Sequence, residues 1–127
     1  MKVLYANNGF EQDSEPQLCL EGTSLEFEDL MNRIKQSIQN NKEGEIHIVN
    51  SSDNSGNELI LIHKTGDNQV VRKIDANKYL MSLDANLWDC ILDLITPLLN
   101  FNGYQFIEFQ NYEGPLIEDV GLIFKTT

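Results

Sequence analysis

QLCLEGTSLEFEDLMNRIKQSIQ, residues 17–39, is the stretch on which the fold turns. It reads as a short apolar strand, QLCL, running through Glu21-Gly22 into an amphipathic helix. Thr23-Ser24-Leu25-Glu26 places a hydroxyl three residues ahead of a glutamate, the pattern of a capping box. Phe27, Leu30, Met31, Ile34 and Ile38 then recur at the spacing of one helical face, with Asp29, Asn32, Arg33, Lys35, Gln36 and Gln39 on the other side. Asn40-Asn41-Lys42-Glu43-Gly44 stops the helix.

The same arrangement returns 61 positions later. KYLMSLDANLWDCILDLITPLLN, residues 78–100, gives a strand, an N-cap at Asp84 and a helix carrying Leu87, Trp88, Ile91, Leu92, Leu94, Ile95, Leu98 and Leu99. Pro97 has no amide hydrogen to donate and should end or kink that helix near Thr96. Residues 17–65 overlie 78–126 without a gap, with eight identities in 49 pairs. QLCL falls on KYLM, and the five apolar positions of the first helix fall on Trp88, Ile91, Leu92, Ile95 and Leu99. The last strands meet at Leu61/Leu122, Ile62/Ile123, Lys64/Lys125 and Thr65/Thr126.

Strands account for the remainder: Met1–Ala6, Gln17–Glu21, Glu45–Asn50, Glu58–Lys64, Val70–Ile74, Lys78–Ser82, Tyr104–Gln110 and Leu116–Lys125, each short, apolar and bounded by turn residues. Gly66-Asp67-Asn68 predicts a reversal, and Asn54-Ser55-Gly56-Asn57 and Glu113-Gly114-Pro115 predict hairpin loops. The order becomes ββαββ twice, with half-repeats 1–65 and 66–127 inside one domain of 127 residues. Short connections predict a largely antiparallel sheet with both helices on one face, an α+β architecture. ELILIH and QFIEF are apolar on both sides of the pleat, which predicts cover on both faces, from a second copy or a partner.

At 41% hydrophobic and 23% charged, the composition is that of a globular chain, not a disordered one. No apolar run reaches the roughly 18 residues of a membrane span, and MKVLYANNGFEQD lacks the apolar core of a secretory signal. Cys19 and Cys90, with no Cys-x-x-Cys pair, predict two reduced thiols in a cytoplasmic protein.

Twenty acids against nine bases give a formal charge of −11, which argues against a nucleic-acid partner. The acids are unevenly spread. Between Lys2 and Arg33 lie seven acids and no base: Glu11, Asp13, Glu15, Glu21, Glu26, Glu28 and Asp29. Between Lys78 and Lys125 lie seven more: Asp84, Asp89, Asp93, Glu108, Glu113, Glu118 and Asp119. The middle is nearly neutral, which predicts two acidic arms flanking it. Glu26, Glu28, Asp29 and Asp84 have a local task at helix N-termini. Glu11, Asp13, Glu15, Glu108, Glu113, Glu118 and Asp119 have none, and with Tyr112 they are the candidate partner-binding residues.

Nothing in the sequence signals catalysis or a cofactor. His47 and His63 are the only histidines, and a hairpin with its loop centred near Asp53 should pair His47 close to Ile60, leaving His63 some residues further along. Ser51, Ser52, Ser82, Cys19 and Cys90 have no predicted base within reach. No phosphate-binding glycine loop can be drawn. Asp53-Asn54-Ser55-Gly56-Asn57-Glu58 lacks the alternating ligands and closing glutamate of an EF-hand, so no metal site is expected.

A small α+β domain, acidic throughout, rich in asparagine and without a catalytic signature, resembles the immunity proteins of bacterial contact-dependent and other polymorphic toxin systems. The resemblance spans the whole chain and rests on no diagnostic motif, so no site residue is carried over. It implies one-to-one binding to a basic toxin, a nuclease domain, in the cytoplasm of the producing cell. Two other readings stand beside it. One is an acidic secretion chaperone acting as a homodimer, although such chaperones usually open with a helix and this chain opens with the strand KVLYA. The other is a small enzyme of unknown chemistry.

Overall fold

Both helices form where their caps dictate. In α1 (Ser24–Gln39) the Glu26 amide donates to Thr23 Oγ1 at 3.2 Å, and the Thr23 amide donates to Glu26 Oε1 at 3.0 Å, closing the capping box. In α2 (Ala85–Ile95) the Leu87 amide donates to Asp84 Oδ1 at 3.0 Å. Pro97 acts as expected: α2 ends at Ile95 and tightens into a 3-10 turn over Thr96–Leu99. The computed structural model describes residues 1–6, 16–40, 45–49, 56–64, 68–107, 116–117 and 120–127, with the backbone alone at 47, 49, 116 and 117.

The strands are β1 (Lys2–Ala6), β2 (Gln17–Gly22), β3 (Glu45–Val49), β4 (Glu58–His63), β5 (Asn68–Asp75), β6 (Lys78–Leu83), β7 (Tyr104–Phe106), β8 (Leu116–Ile117) and β9 (Gly121–Thr126). They form two mixed sheets, where one largely antiparallel sheet was expected. The first has the order β1-β2-β9-β7, the second β3-β4-β6-β5-β8. Antiparallel pairs join β1 to β2, β3 to β4, β5 to β6 and β7 to β9. Parallel pairs join β2 to β9, β4 to β6 and β5 to β8. The consecutive strands β1–β2, β3–β4 and β5–β6 do pair antiparallel; β4 and β5, joined as closely, do not pair, and the parallel seams come from strands that are not consecutive, which loop length cannot reveal.

Two local expectations change with this topology. The segment expected as one strand over Leu116–Lys125 is two, with β8 in the second sheet and β9 in the first. Glu113-Gly114-Pro115 therefore falls between strands of different sheets, not within a hairpin, and lies outside the described residues. The reversal expected at Gly66-Asp67-Asn68 holds in direction, since β4 and β5 run antiparallel, but β6 stands between them; Asn68 opens β5, and Gly66 and Asp67 lie outside the described residues. The β3–β4 hairpin is as expected, with His47 paired to Ile60.

The two halves of the chain are laid out alike. The first contributes β1, β2, α1, β3 and β4; the second contributes β5, β6, α2 with its 3-10 turn, β7 and β9 in the same order, with β8 added. Exchanging corresponding strands turns β1-β2-β9-β7 into β5-β6-β4-β3, the order of the second sheet without β8. Each sheet thus contains one hairpin from each half. Thr23 and Asp84, 61 residues apart, are both N-caps, and Phe27, Leu30, Met31 and Ile34 are as buried as Trp88, Ile91, Leu92 and Ile95.

The gapless alignment fails at the last strand by two residues. Gln17 pairs with Gly121, whereas Lys78, its counterpart, pairs with Glu58. Glu58 therefore corresponds to Gly121, Leu59 to Leu122 and Ile60 to Ile123. A slip of two leaves every side chain on its original face, so the apolar pattern cannot detect it.

The helices do not cover one face of a single sheet. Their apolar faces share one buried cluster with inner residues of both sheets, including Leu18, Leu20 and Phe124 from the first and Leu59, Leu61, Tyr79 and Met81 from the second. Phe27 of α1 packs on Phe124 of β9 with ring centroids 5.7 Å apart. Trp88 of α2 donates its indole N–H to the Ile62 carbonyl of β4 at 3.0 Å. Between the sheets, Tyr5 stacks on Tyr79, and the buried Asn57 amide donates to the Val3 carbonyl.

Candidate protein-binding surface

The eight residues singled out from the sequence, Glu11, Asp13, Glu15, Glu108, Tyr112, Glu113, Glu118 and Asp119, all lie outside the described residues. Their points of attachment are described. Segment 7–15 leaves β1 after Ala6 and returns at Pro16, next to Gln17 of β2; Ala6 and Gln17 are register partners. Gln17 in turn pairs with Gly121, whose amide donates to the Pro16 carbonyl at 3.0 Å. Ile107, after which segment 108–115 begins, donates its amide to the Leu122 carbonyl. Ala6, Gln17, Ile107 and Gly121 thus stand together at one end of the first sheet.

Of the fourteen acids expected to form two arms around a neutral centre, seven lie on β2, α1, the cap of α2 and α2 itself, and the other seven belong to segments that leave or rejoin the first sheet at this one end. The reason is the strand exchange between halves, which puts the β1–β2 and β7–β9 pairs in the same sheet. The framework itself is nearly balanced: the described residues hold ten Asp/Glu and eight Lys/Arg, whereas the rest hold ten acids and Lys42 alone.

Two residues in from Ala6, Gln17 and Gly121 and one in from Ile107, on the face turned away from the core, Leu4, Cys19, Ile123 and Phe106 form a row straight across the four strands. Cys19 and Ile123 are buried; Leu4 and Phe106 are half-buried. Burial pushes the Cys19 thiol up to about 11, with Glu21 adding to the shift and Lys125 opposing it. Tyr104, 55% exposed, meets Phe106 edge-on at 5.8 Å, and Phe101 stands 61% exposed just before β7. With Cys19 and Ile123 covered, the part of this face open to a partner is the aromatic edge of Phe101, Tyr104 and the half-buried Phe106, an apolar patch beside charge of the kind protein-binding surfaces use. These aromatic residues escaped the sequence analysis, although FNGYQF, three aromatics around a glycine, was the available signal.

Other features of the molecule do different work. A cavity of about 440 Å³ lies between Met1, α1 and Ile48 of β3, near the opposite end of β1. There the N-terminal ammonium pairs with Glu26 Oε2. The hydrogen bond from that ammonium, and then that from the Thr23 amide, hold the Glu26 carboxyl below its usual range. His63 is buried and lines, with Ser37, Ile34 and Trp88, a second cavity of about 10 Å³, enough for one water and no substrate. In the calcium-like segment, Gly56 takes φ +72°, a left-handed turn conformation, and Glu58 donates its backbone amide to the Asn77 carbonyl. Among the described residues no cluster of His, Cys, Asp or Glu has the arrangement to hold a metal ion. Both cysteines are free, Cys19 buried and Cys90 exposed. No helix of the described residues is long and apolar enough to cross a membrane.

Compared with protein-family models, curated proteins and solved structures, the chain matches none.

Proposed function

We propose that this protein binds a cationic protein and occludes its working surface, as the immunity proteins of bacterial toxin systems do. One observation carries the reading: segments 7–15, 108–115 and 118–119, which hold seven acids and no base, depart from or return to the same end of the first sheet at Ala6, Pro16, Ile107 and Val120-Gly121, with β8 of the second sheet between the last two. Negative potential gathered at one place speeds capture of a basic partner, by tenfold or more at low salt. The neighbouring aromatic strip supplies the apolar contact that slows release. A nuclease domain fits this chemistry because its own substrate is polyanionic, so its active face is cationic. Binding is one-to-one, no cofactor or metal takes part, and the protein acts in the cytoplasm, where Cys19 and Cys90 stay reduced.

The test compares the native chain with a variant in which Glu11, Asp13, Glu15, Glu108, Glu113, Glu118 and Asp119 are replaced by Gln or Asn. The native chain is expected to co-purify from its own cell with a strongly basic protein in equal amounts and to suppress that protein's nuclease activity. The variant should lose both while keeping the circular dichroism of the parent. Equal recovery of the same partner by both chains, or a partner without basic character, overturns the reading.

A further inference from the structure

All four hairpin pairs lie within a half of the chain and are antiparallel, whereas both seams that close the sheets, β2 with β9 and β4 with β6, run between halves and are parallel. Each seam joins six residue pairs. The first half therefore reaches into both sheets and completes neither. Its β2 and β4 present to the second half strands whose Leu18, Leu20, Leu59 and Leu61 are buried in the joint core. Contacts of α1 with α2 and its 3-10 turn add to the same joint.

The two halves are connected only by residues 65–67. On one side Lys64 donates its amide to the Leu83 carbonyl at the end of β6; on the other, Asn68 opens β5 and holds Asp84 by two hydrogen bonds of 2.9 and 3.3 Å. β4 and β5 flank β6, so the connection spans two strand spacings, about 9.6 Å. Three residues give four Cα–Cα steps, up to about 14 Å, which suffices. With one residue the reach is two steps, about 7 Å, which does not.

We infer that the seam between the halves is a protein–protein interface that a second copy of this chain fits. The first half of one copy pairs with the second half of another through the same two parallel seams, and reciprocally, giving two complete lobes. In the native chain the three-residue connection holds the halves at high effective concentration and keeps them in one molecule. The inference is independent of the proposed function.

The experiment deletes Gly66 and Asp67 from the full chain and measures mass by light scattering, in a Cys90→Ser background. A dimer with the parent's circular dichroism is expected; a folded monomer overturns the inference. Adding Ile123→Cys places two thiols on partner positions 19 and 123 of the β2–β9 seam. On oxidation the disulfide is expected within one chain in the full-length protein and between chains in the deletion variant, seen as a covalent dimer on a non-reducing gel. Intrachain bonding in a dimeric deletion variant would mean side-by-side association and also overturns the inference. Should the deletion variant aggregate, a second variant decides: a protease site inserted between Thr65 and Asn68 is cut in the folded full-length protein. The two pieces are expected to stay together at the parent mass and unfold in one transition; separation of the pieces refutes the exchange.

Discussion

At one end of the sheet β1-β2-β9-β7, the chain between β1 and β2 and between β7 and β9, the latter by way of β8 in the other sheet, holds seven acids and no base. At the corresponding end of β3-β4-β6-β5, the turn between β5 and β6 is Ala76-Asn77 alone, and the loop from 50 to 57 contains one acid, Asp53. The interiors of the two halves are matched position by position, but these ends are not. The difference teaches where the charge of −11 resides: in connections, not in the framework they decorate. A core position must fit its neighbours in volume and shape. A connection need only join its two ends, and it is free to carry recognition chemistry.

The comparison can be broken most forcefully in the core. Phe27→Ala and Trp88→Ala remove corresponding buried rings, and each should cost about 3–5 kcal/mol in chemical denaturation. Trp88→Ala should sit at the upper end because the Ile62 carbonyl also loses its indole donor. A cost well below this for either one would show that the halves are not equivalent in packing.

Thiol reactivity separates a framework position from an outward one. With Cys19 pushed up to about 11, its alkylation at pH 8 should lag behind that of an ordinary exposed thiol by about a hundredfold, whereas exposed Cys90 reacts first. Mass spectrometry of partially alkylated protein reads both rates. Equal rates would mean that the outer row of the first sheet opens readily.

Reversing Glu113, Glu118 and Asp119 to lysine should slow association with a basic partner about tenfold at low salt and leave the unfolding midpoint nearly unchanged. An unchanged association rate removes segment 108–119 from the interface. The smallest effects belong to the caps. Thr23→Ala and Asp84→Ala should each cost about 1 kcal/mol, with Asp84 the costlier because its side chain also accepts from Asn68. Glu26 adds a pH signature. Its folded value lies below its unfolded one, so its contribution is complete at neutral pH and fades as the pH falls through the acid range. Glu26→Gln should therefore differ from the parent at pH 7 and converge with it in acid, as urea midpoints would record; a gap that persists in acid would detach Glu26 from the N-terminal ion pair.

Much of this architecture was legible in the residues. Thr23 with Glu26, Asp84 and Pro97 fixed the helix boundaries, because capping and the missing proline donor act within one turn. The pairing of His47 with Ile60 followed from the position of one turn. The surface was legible only in part. Seven acids could be named, but not that their segments share an anchor, and the aromatic residues flanking Gly103 gave no period to read.

The amino-acid sequence by itself determined the helices, their caps, the positions of most strands and the excess of acid, since each depends on residues within a few positions. Only the tertiary structure decided that the described strands form two sheets, that each sheet takes an antiparallel pair from each half, and that Ala6, Gln17, Ile107 and Gly121, beside which the acidic segments begin or end, stand together. A period of two tells a strand which way to face and leaves its neighbour open. That choice is made by strands more than a hundred residues apart, as Gln17 and Gly121 are, through a core they complete only together.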